Sequence, residues 1–233
     1  MNQASFFTSF IEAMPAILSG IKNTLLASLY SIVIGTILGI LIGLVLTYGN
    51  KILRAPFRLL VDIIRGIPPL VTVFIMYYFL DYIMRNSFGI SISAFTSGVV
   101  ALALPCCAQT AELTRGALQS ISKGQTEAGR ALGMRFGRIF VKILLPQTLL
   151  AMLPPWVNTA TEMVKGTTLL SMVGVVELLL SVRQLVAVNL HALQYYLVAG
   201  LIYFLINTLI ETCGKAMEKK LDYHKKKGRD YHG

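Results

Sequence analysis

With 233 residues, 55% of them hydrophobic and only 14% charged, the chain has too few polar side chains to cover a soluble globule of its size, which leaves a surface facing lipid. The net charge of +10 would point to nucleic acid in a soluble protein; here its distribution along the chain carries the information, and no nucleic-acid partner is expected. Cys106, Cys107 and Cys213, and likewise His191, His224 and His232, are spaced like no metal-ligand set, so no metal site is expected.

Residues 1–20 lack a basic leader and carry Glu12 and Pro15, which does not read as a cleaved signal peptide. The first span is expected over about residues 24–48, where Gly35, Gly39 and Gly43 recur every four residues and place small residues on one helix face for close packing. A basic loop follows (Lys51, Arg54, Arg58, Arg65), then a second span over about 70–84, entered through Pro68 and Pro69, which break the helix there. The third span covers about 94–113 and is interrupted by Pro105; the adjacent Cys106 and Cys107 read as small packing residues. A polar stretch over 115–142 is too charged for lipid. The fourth span starts near Ile143, contains Pro146, Pro154 and Pro155, and runs into an apolar stretch over 169–180. Broken helices of this kind at membrane depth border a protein-lined cavity. A last span over about 195–213 ends in a tail bearing Lys215, Lys219, Lys220, Lys225, Lys226, Lys227 and Arg229.

The loop at 51–65, the stretch at 115–142 and the tail hold four, six and seven Lys and Arg, 17 of the 21 in the chain. The positive-inside rule makes all three cytoplasmic. The expectation is an all-α integral membrane protein with five transmembrane helices, the N-terminus outside and the C-terminus inside. Residues 1–233 then form a single transmembrane domain, with a cytoplasmic loop at about 120–142 and a basic tail at 214–233.

Within that loop, residues 127–133 combine helix formers, an acid in the first turn and Gly133 at the end, the pattern of a short amphipathic helix followed by a turn. Met134, Phe136, Ile139 and Phe140 add apolar contacts between Arg130, Arg135, Arg138 and Lys142. Periodicity alone leaves open a membrane-surface helix held by anionic lipid and a partner-docking surface. Motif spacing decides. Glu127, Ala128, Gly129, then Gly133, then Ile143, Leu145 and Pro146 resemble the cytoplasmic "EAA" loop of permease subunits in binding-protein-dependent ABC importers; Gly129 departs from that pattern, which has Ala there. Further stretches resemble the polar amino acid branch of the family, which includes histidine, glutamine and arginine permeases. They are residues 65–70 (Arg65 to Leu70 around Pro68 and Pro69), 111–127 with Glu112, Arg115 and Gly116, 145–155, and 165–178 with Lys165, Thr167 and Glu177.

The resemblance implies a type I ABC importer permease fold in a bacterial cytoplasmic (inner) membrane. It implies alternating access for a polar amino acid or a related compound such as cystine, a second permease copy or a paralogue, an external substrate-binding protein and an ATPase subunit pair. ATPase coupling would fall to Glu127, Ala128, Gly129, Arg130, Ala131, Gly133 and Arg135. The chain has no Gly-rich phosphate loop, so no cofactor is expected in it; ATP and Mg would be bound by the partner, and the chain would be a transport subunit and not itself an enzyme. Membrane lipid completes the expected partners.

Ionisable residues at membrane depth are costly and default to functional candidates. Glu162 lies between the proline pair and Lys165, where its carboxylate suits the ammonium of an amino acid, with Asn158, Thr159 and Thr161 as hydrogen-bonding neighbours; the alternative is an i, i+3 pair with Lys165. Thr167, in the Lys165 motif, joins the substrate candidates, and Gly166 stands where related permeases often carry Asp. Glu112 and Arg115 read as a gate or helix pair. Glu177, Arg183 and Gln184 are placed towards the outer vestibule or the binding protein. The competing function is an ion-coupled secondary transporter using Glu112 and Glu162.

Overall fold

The computed structural model describes residues 6–229, and among these the chain is helical throughout, with no strand. Helix α1 (Phe6–Tyr48) has 43 residues, roughly 65 Å at 1.5 Å per residue, about twice a bilayer core. The expected first span is its second half only. The first half is helical because Ala13 and Ile17, with Phe10 and Ile21 one turn to either side, form a stripe that buries against Leu178, Val182, Tyr195 and Ala199; Glu12 and Pro15 interrupt the hydropathy of this segment but not that stripe.

Asn50 caps α2 (Lys51–Gly66) by accepting the Leu53 N–H at 2.8 Å. The segment expected as a basic loop is therefore an amphipathic helix. Its apolar side, centred on buried Val61 with Phe57 and Ile64, packs on Leu46, Ala108 and Ala111. At Ile67 and Pro68 the chain turns by 113° into α3 (Pro69–Phe88), which ends at Gly89 with φ +68°. Pro68 disfavours helical geometry in the residue before it, and Pro69 suits a first helical turn.

Helix α4 (Ala94–Ser120) is the centre of the bundle, touching α1, α2, α3 and the helix after the polar loop. Its contact with α1 rests on the three glycines. A Cβ on Gly35 would lie 2.6 Å from Cys106 Cβ, on Gly39 2.5 Å from Thr110 Cβ, and on Gly43 2.6 Å from Thr114 Cβ, each with a carbonyl oxygen of α4 within 2.8 Å. Three glycines facing three small residues four apart let the two backbones touch over the length of a span. Cys106 and Cys107 are buried here.

The polar loop contains α5 (Lys123–Ala131) and the single turn α6 (Phe136–Ile139). A π-turn over Phe140–Leu144 then leads into α7 (Leu145–Gly166), a 3₁₀ segment Thr167–Val173, α8 (Leu178–Asn189) and α9 (Ala192–Arg229). The helix is not broken at Pro154 and Pro155, which sit inside continuous α7. The irregularities lie on either side. Pro146 lacks an N–H and its ring crowds the carbonyl four residues back; the widened turn, in which the Leu145 N–H donates to the Phe140 carbonyl, makes room for it.

Four stretches are long and apolar enough to cross a membrane by themselves, Thr8–Tyr48, Ala94–Ser120, Phe136–Val173 and Ala192–Lys220; α2 and α3, taken as one bent pair, supply a fifth.

Candidate coupling and translocation sites

Helix α5 begins at Ser122, whose hydroxyl accepts the Gly124 N–H at 3.3 Å, and ends in a full left-handed cap. The Met134 N–H reaches back to the Gly129 carbonyl at 3.0 Å, the Gly133 N–H to the Arg130 carbonyl at 2.9 Å, and Gly133 has φ +74°. This paired bonding satisfies the carbonyls of the last turn and requires a residue without Cβ strain at Gly133. Gly129 is needed for another reason. It is buried, and a Cβ there would lie 2.8 Å from Cγ1 of fully buried Ile139. The departure from the Ala of the EAA pattern thus lets α6 close over α5.

Glu127, Ala128, Arg130, Ala131, Gly133 and Arg135 are all exposed. Among them Leu132, which the motif does not single out, is 80% exposed, an apolar tip framed by cations. The signal available in the sequence was one Leu in an otherwise polar segment. Three of the apolar residues that follow touch other parts of the protein. Ile139 is buried on Gly129, and Phe136 and Phe140 stack edge-on against Tyr48 of α1 at centroid distances of 5.4 and 6.0 Å. They fasten the loop to α1, and Phe136, still 45% exposed, shares the outward surface with α5 and Leu132.

The substrate candidates do not converge. Thr161 and Thr167 are buried and donate to their own helix, at the Asn158 carbonyl (2.8 Å) and the Val164 carbonyl (2.7 Å). Asn158 opens into a cleft with Glu211, Lys215 and Glu218 of α9. Glu162 is exposed on the other side, in a cavity of about 310 Å³ with Arg65, Thr72 and Gln109, and among the described residues it forms no ion pair with Lys165. A carboxylate and a guanidinium thus share one cleft at the α2–α3 bend with an amide and a hydroxyl. Gln109 was missed by sequence reasoning; its signal was a lone amide within the apolar third span.

Glu112 is held from two sides. Arg115 binds its Oε2 through Nη2 at 2.7 Å and Nε at 3.0 Å, and Arg58 of α2 binds Oε1. The expected intrahelical pair is therefore one half of a clamp that ties α2 to α4. Glu177, expected towards the outer vestibule, is fully buried. Its carboxylate caps α8 by accepting the Leu179 and Leu180 N–H groups at 2.9 and 2.8 Å and takes the Tyr203 hydroxyl at 2.7 Å. A carboxylate this deep must be fully hydrogen-bonded, and this one joins α8 to α9. Arg183 and Gln184 remain exposed.

Membrane-length helices around a polar cleft, with a capped helix standing out at the end rich in Lys and Arg, are the parts of an integral-membrane transport subunit. Residues 35–223 match the family of binding-protein-dependent transport system inner membrane components, and the chain belongs to that family. It is accordingly the membrane-spanning permease component and lacks an ATPase site of its own. Among relatives, the "Probable amino-acid ABC transporter permease protein YckA" of Bacillus subtilis is 33% identical over 92% of both chains. The "Glutamine transport system permease protein GlnP" of Escherichia coli is 32% identical over 90% of this chain and 94% of its own. A solved structure described as an amino acid ABC transporter with histidines superposes with a TM-score of 0.81 at 28% identity, covering 93% of this chain and 99% of that one. An inward-facing MetNI methionine ABC transporter shares the fold, with a TM-score of 0.76 at 22% identity over 89% and 97% of the two chains.

Proposed function

We propose that the chain is the permease of an ABC importer for a polar amino acid, working by alternating access and driven by a separate ATPase pair that docks on α5. The observation that carries the substrate class is the likeness, over nine-tenths of the chain, to permeases named for amino acids. In this reading the bent α2–α3 pair supplies the remaining span, α3 contributing 20 residues, roughly 30 Å, while amphipathic α2 meets the surface with Lys51, Arg54 and Arg65 exposed. That gives five spans with the N-terminus outside and the C-terminus inside. A second permease copy or paralogue and an external binding protein complete the assembly, with ATP and Mg held by the ATPase.

Energy enters only as a difference. ATP favours the outward-facing state by as much as its binding to the ATPase differs between the two states, and α5 transmits that difference as a rigid body. Exposed Leu132 and its flanking Arg130 and Arg135 provide an apolar anchor inside a polar rim.

The cleft of Arg65, Thr72, Gln109 and Glu162 suits a zwitterion, the guanidinium matching an α-carboxylate and the carboxylate an α-ammonium. Asn158, Thr161 and Thr167 contribute less in this reading, since two of them already bond their own backbone. An ion-coupled carrier using Glu112 and Glu162 has weaker support, because Glu112 is neutralised by two guanidinium groups.

The test is reconstitution of the chain with its neighbouring ATPase and binding protein, followed by ATP hydrolysis and uptake against a panel of amino acids. Turnover that rises with one polar amino acid supports the assignment; uptake that follows an ion gradient without ATP overturns it. Glu162→Gln is expected to cut uptake at least about tenfold, the loss of one charge-assisted contact, with ATPase assembly intact. Unchanged uptake moves the substrate site elsewhere.

A further inference from the structure

A groove of about 690 Å³ runs between α1, α7 and α9, walled by Ile40, Leu145, Leu149, Leu153 and Met217, with Trp156 at its inner end. Its volume is in the range of a small-molecule site, roughly 300–1,000 Å³, yet it offers a polar ligand nothing to hold. Trp156 Nε1 already donates to Thr36 Oγ1 of the opposite wall at 2.9 Å, and the remaining lining is aliphatic. Met217 and Leu149 are 54% and 45% exposed, so the groove opens sideways along a helix surface of membrane-spanning length.

Charge is confined to one end. Lys142 is exposed one turn before Leu145 and Pro146, and Lys219 and Lys220 are exposed just beyond Met217. The sequence then continues with Lys225, Lys226, Lys227 and Arg229. The nearby carboxylate, Glu218, lines the two polar clefts on the far side of Pro154 and not this groove.

An apolar slot open to hydrocarbon, with exposed cations one turn before its α7 wall and one turn beyond Met217 of its α9 wall, matches one chemistry: a phospholipid with an anionic headgroup. We propose that the groove binds an acyl chain of an anionic phospholipid whose headgroup is held by Lys142 and Lys220. The site lies where α7 emerges from the π-turn, next to the segment fastened to Tyr48, so lipid there steadies the base of the coupling loop. The inference concerns the permease alone and stands whatever the substrate is.

Trp156 is the only tryptophan in the chain, which gives a direct readout. The full chain is reconstituted in vesicles of unlabelled phosphatidylcholine containing increasing fractions of phosphatidylglycerol or phosphatidylcholine brominated at the middle of the acyl chain, and Trp156 fluorescence is followed. Half-maximal quenching is expected at a mole fraction of brominated phosphatidylglycerol roughly tenfold lower than of brominated phosphatidylcholine. Lys142→Gln combined with Lys220→Gln is expected to erase that preference, and Leu149→Phe, which narrows the slot, to weaken quenching by both lipids. Equal quenching by the two lipids in the wild-type chain means ordinary boundary lipid and overturns the proposal. Absence of quenching by either, as when a second copy covers the groove, overturns it too. The wild-type comparison needs no variant, so it decides between these outcomes even where a variant fails to fold.

Discussion

Gly129, inside α5, and Gly133, in the cap two residues past its end, stand four residues apart and are glycine for unrelated reasons. At Gly133 the constraint is backbone, φ +74° with open space around it; at Gly129 it is packing, a Cβ pressed against Ile139. The two separate by experiment. Gly129→Val is expected to cost roughly 1–3 kcal/mol by overpacking in thermal unfolding of the detergent-solubilised protein, and adding Ile139→Ala is expected to return part of that loss, because the two side chains compete for one space. Strict additivity of the two changes would show that they do not touch. The same distinction holds for Glu162 and Glu177. Both are acids near irregular backbone, but one faces an open cleft with Arg65 and the other is consumed by two backbone N–H groups and Tyr203.

At the scale of elements, α5 is defined by its ends. Ser122 starts it and the left-handed cap at Gly133 stops it, so the segment projects as a unit while Phe136 and Phe140 anchor its far side to α1. Gly133→Asp is expected to cost about 1–2 kcal/mol in the cap, less than the bundle needs to fold, while tilting α5. The reconstituted complex should keep ATP hydrolysis and lose most uptake; normal uptake would remove α5 from the coupling role. The α1–α4 contact is a different kind of element property. Gly39→Val sets a Cβ 2.5 Å from Thr110 Cβ and 2.7 Å from the Cys107 carbonyl. That carbonyl belongs to a helix backbone and does not yield, so a loss of roughly 1–3 kcal/mol and a fall in folded yield on size-exclusion chromatography are expected. An unchanged elution profile and melting point would mean that the two helices separate freely.

For the molecule as a whole, the proposed orientation rests on charge. With 17 of 21 cations in the three segments 51–65, 115–142 and 215–229, a membrane-impermeant maleimide added outside intact cells is expected to label Ser91→Cys, in the turn after α3, and to spare Ser122→Cys, at the start of α5, until the membrane is opened. Native Cys213 is exposed and is replaced by Ser in that experiment. The reverse labelling pattern would invert the topology and place α5 out of reach of any cytoplasmic ATPase.

Much of this was legible in the sequence because it depends on local period and composition. Membrane-length apolar runs, the four-residue glycine repeat, the charge bias and a short helix stopped at Gly133 are all written within a few turns of chain, although that helix runs over Lys123–Ala131 and not over the expected 127–133. Contacts between distant segments were not. That residues 6–23 continue α1 depends on α8 and α9 lying against Ala13 and Ile17. The basic loop became a helix because Val61 found Leu46 and Ala108 to bury against. Arg65 and Gln109 meet Glu162 only because the chain turns by 113° at Pro68 and α4 passes beside α7. Sequence by itself determined the class of protein, most of its membrane-length apolar stretches and the presence of a short helix in the polar loop, since hydrophobic length and capping act over neighbouring residues. Only the tertiary structure decided which polar side chains face a common cleft and which satisfy their own backbone, because in a low-dielectric bundle every polar group must find a partner, and that partner is chosen by how the helices pack.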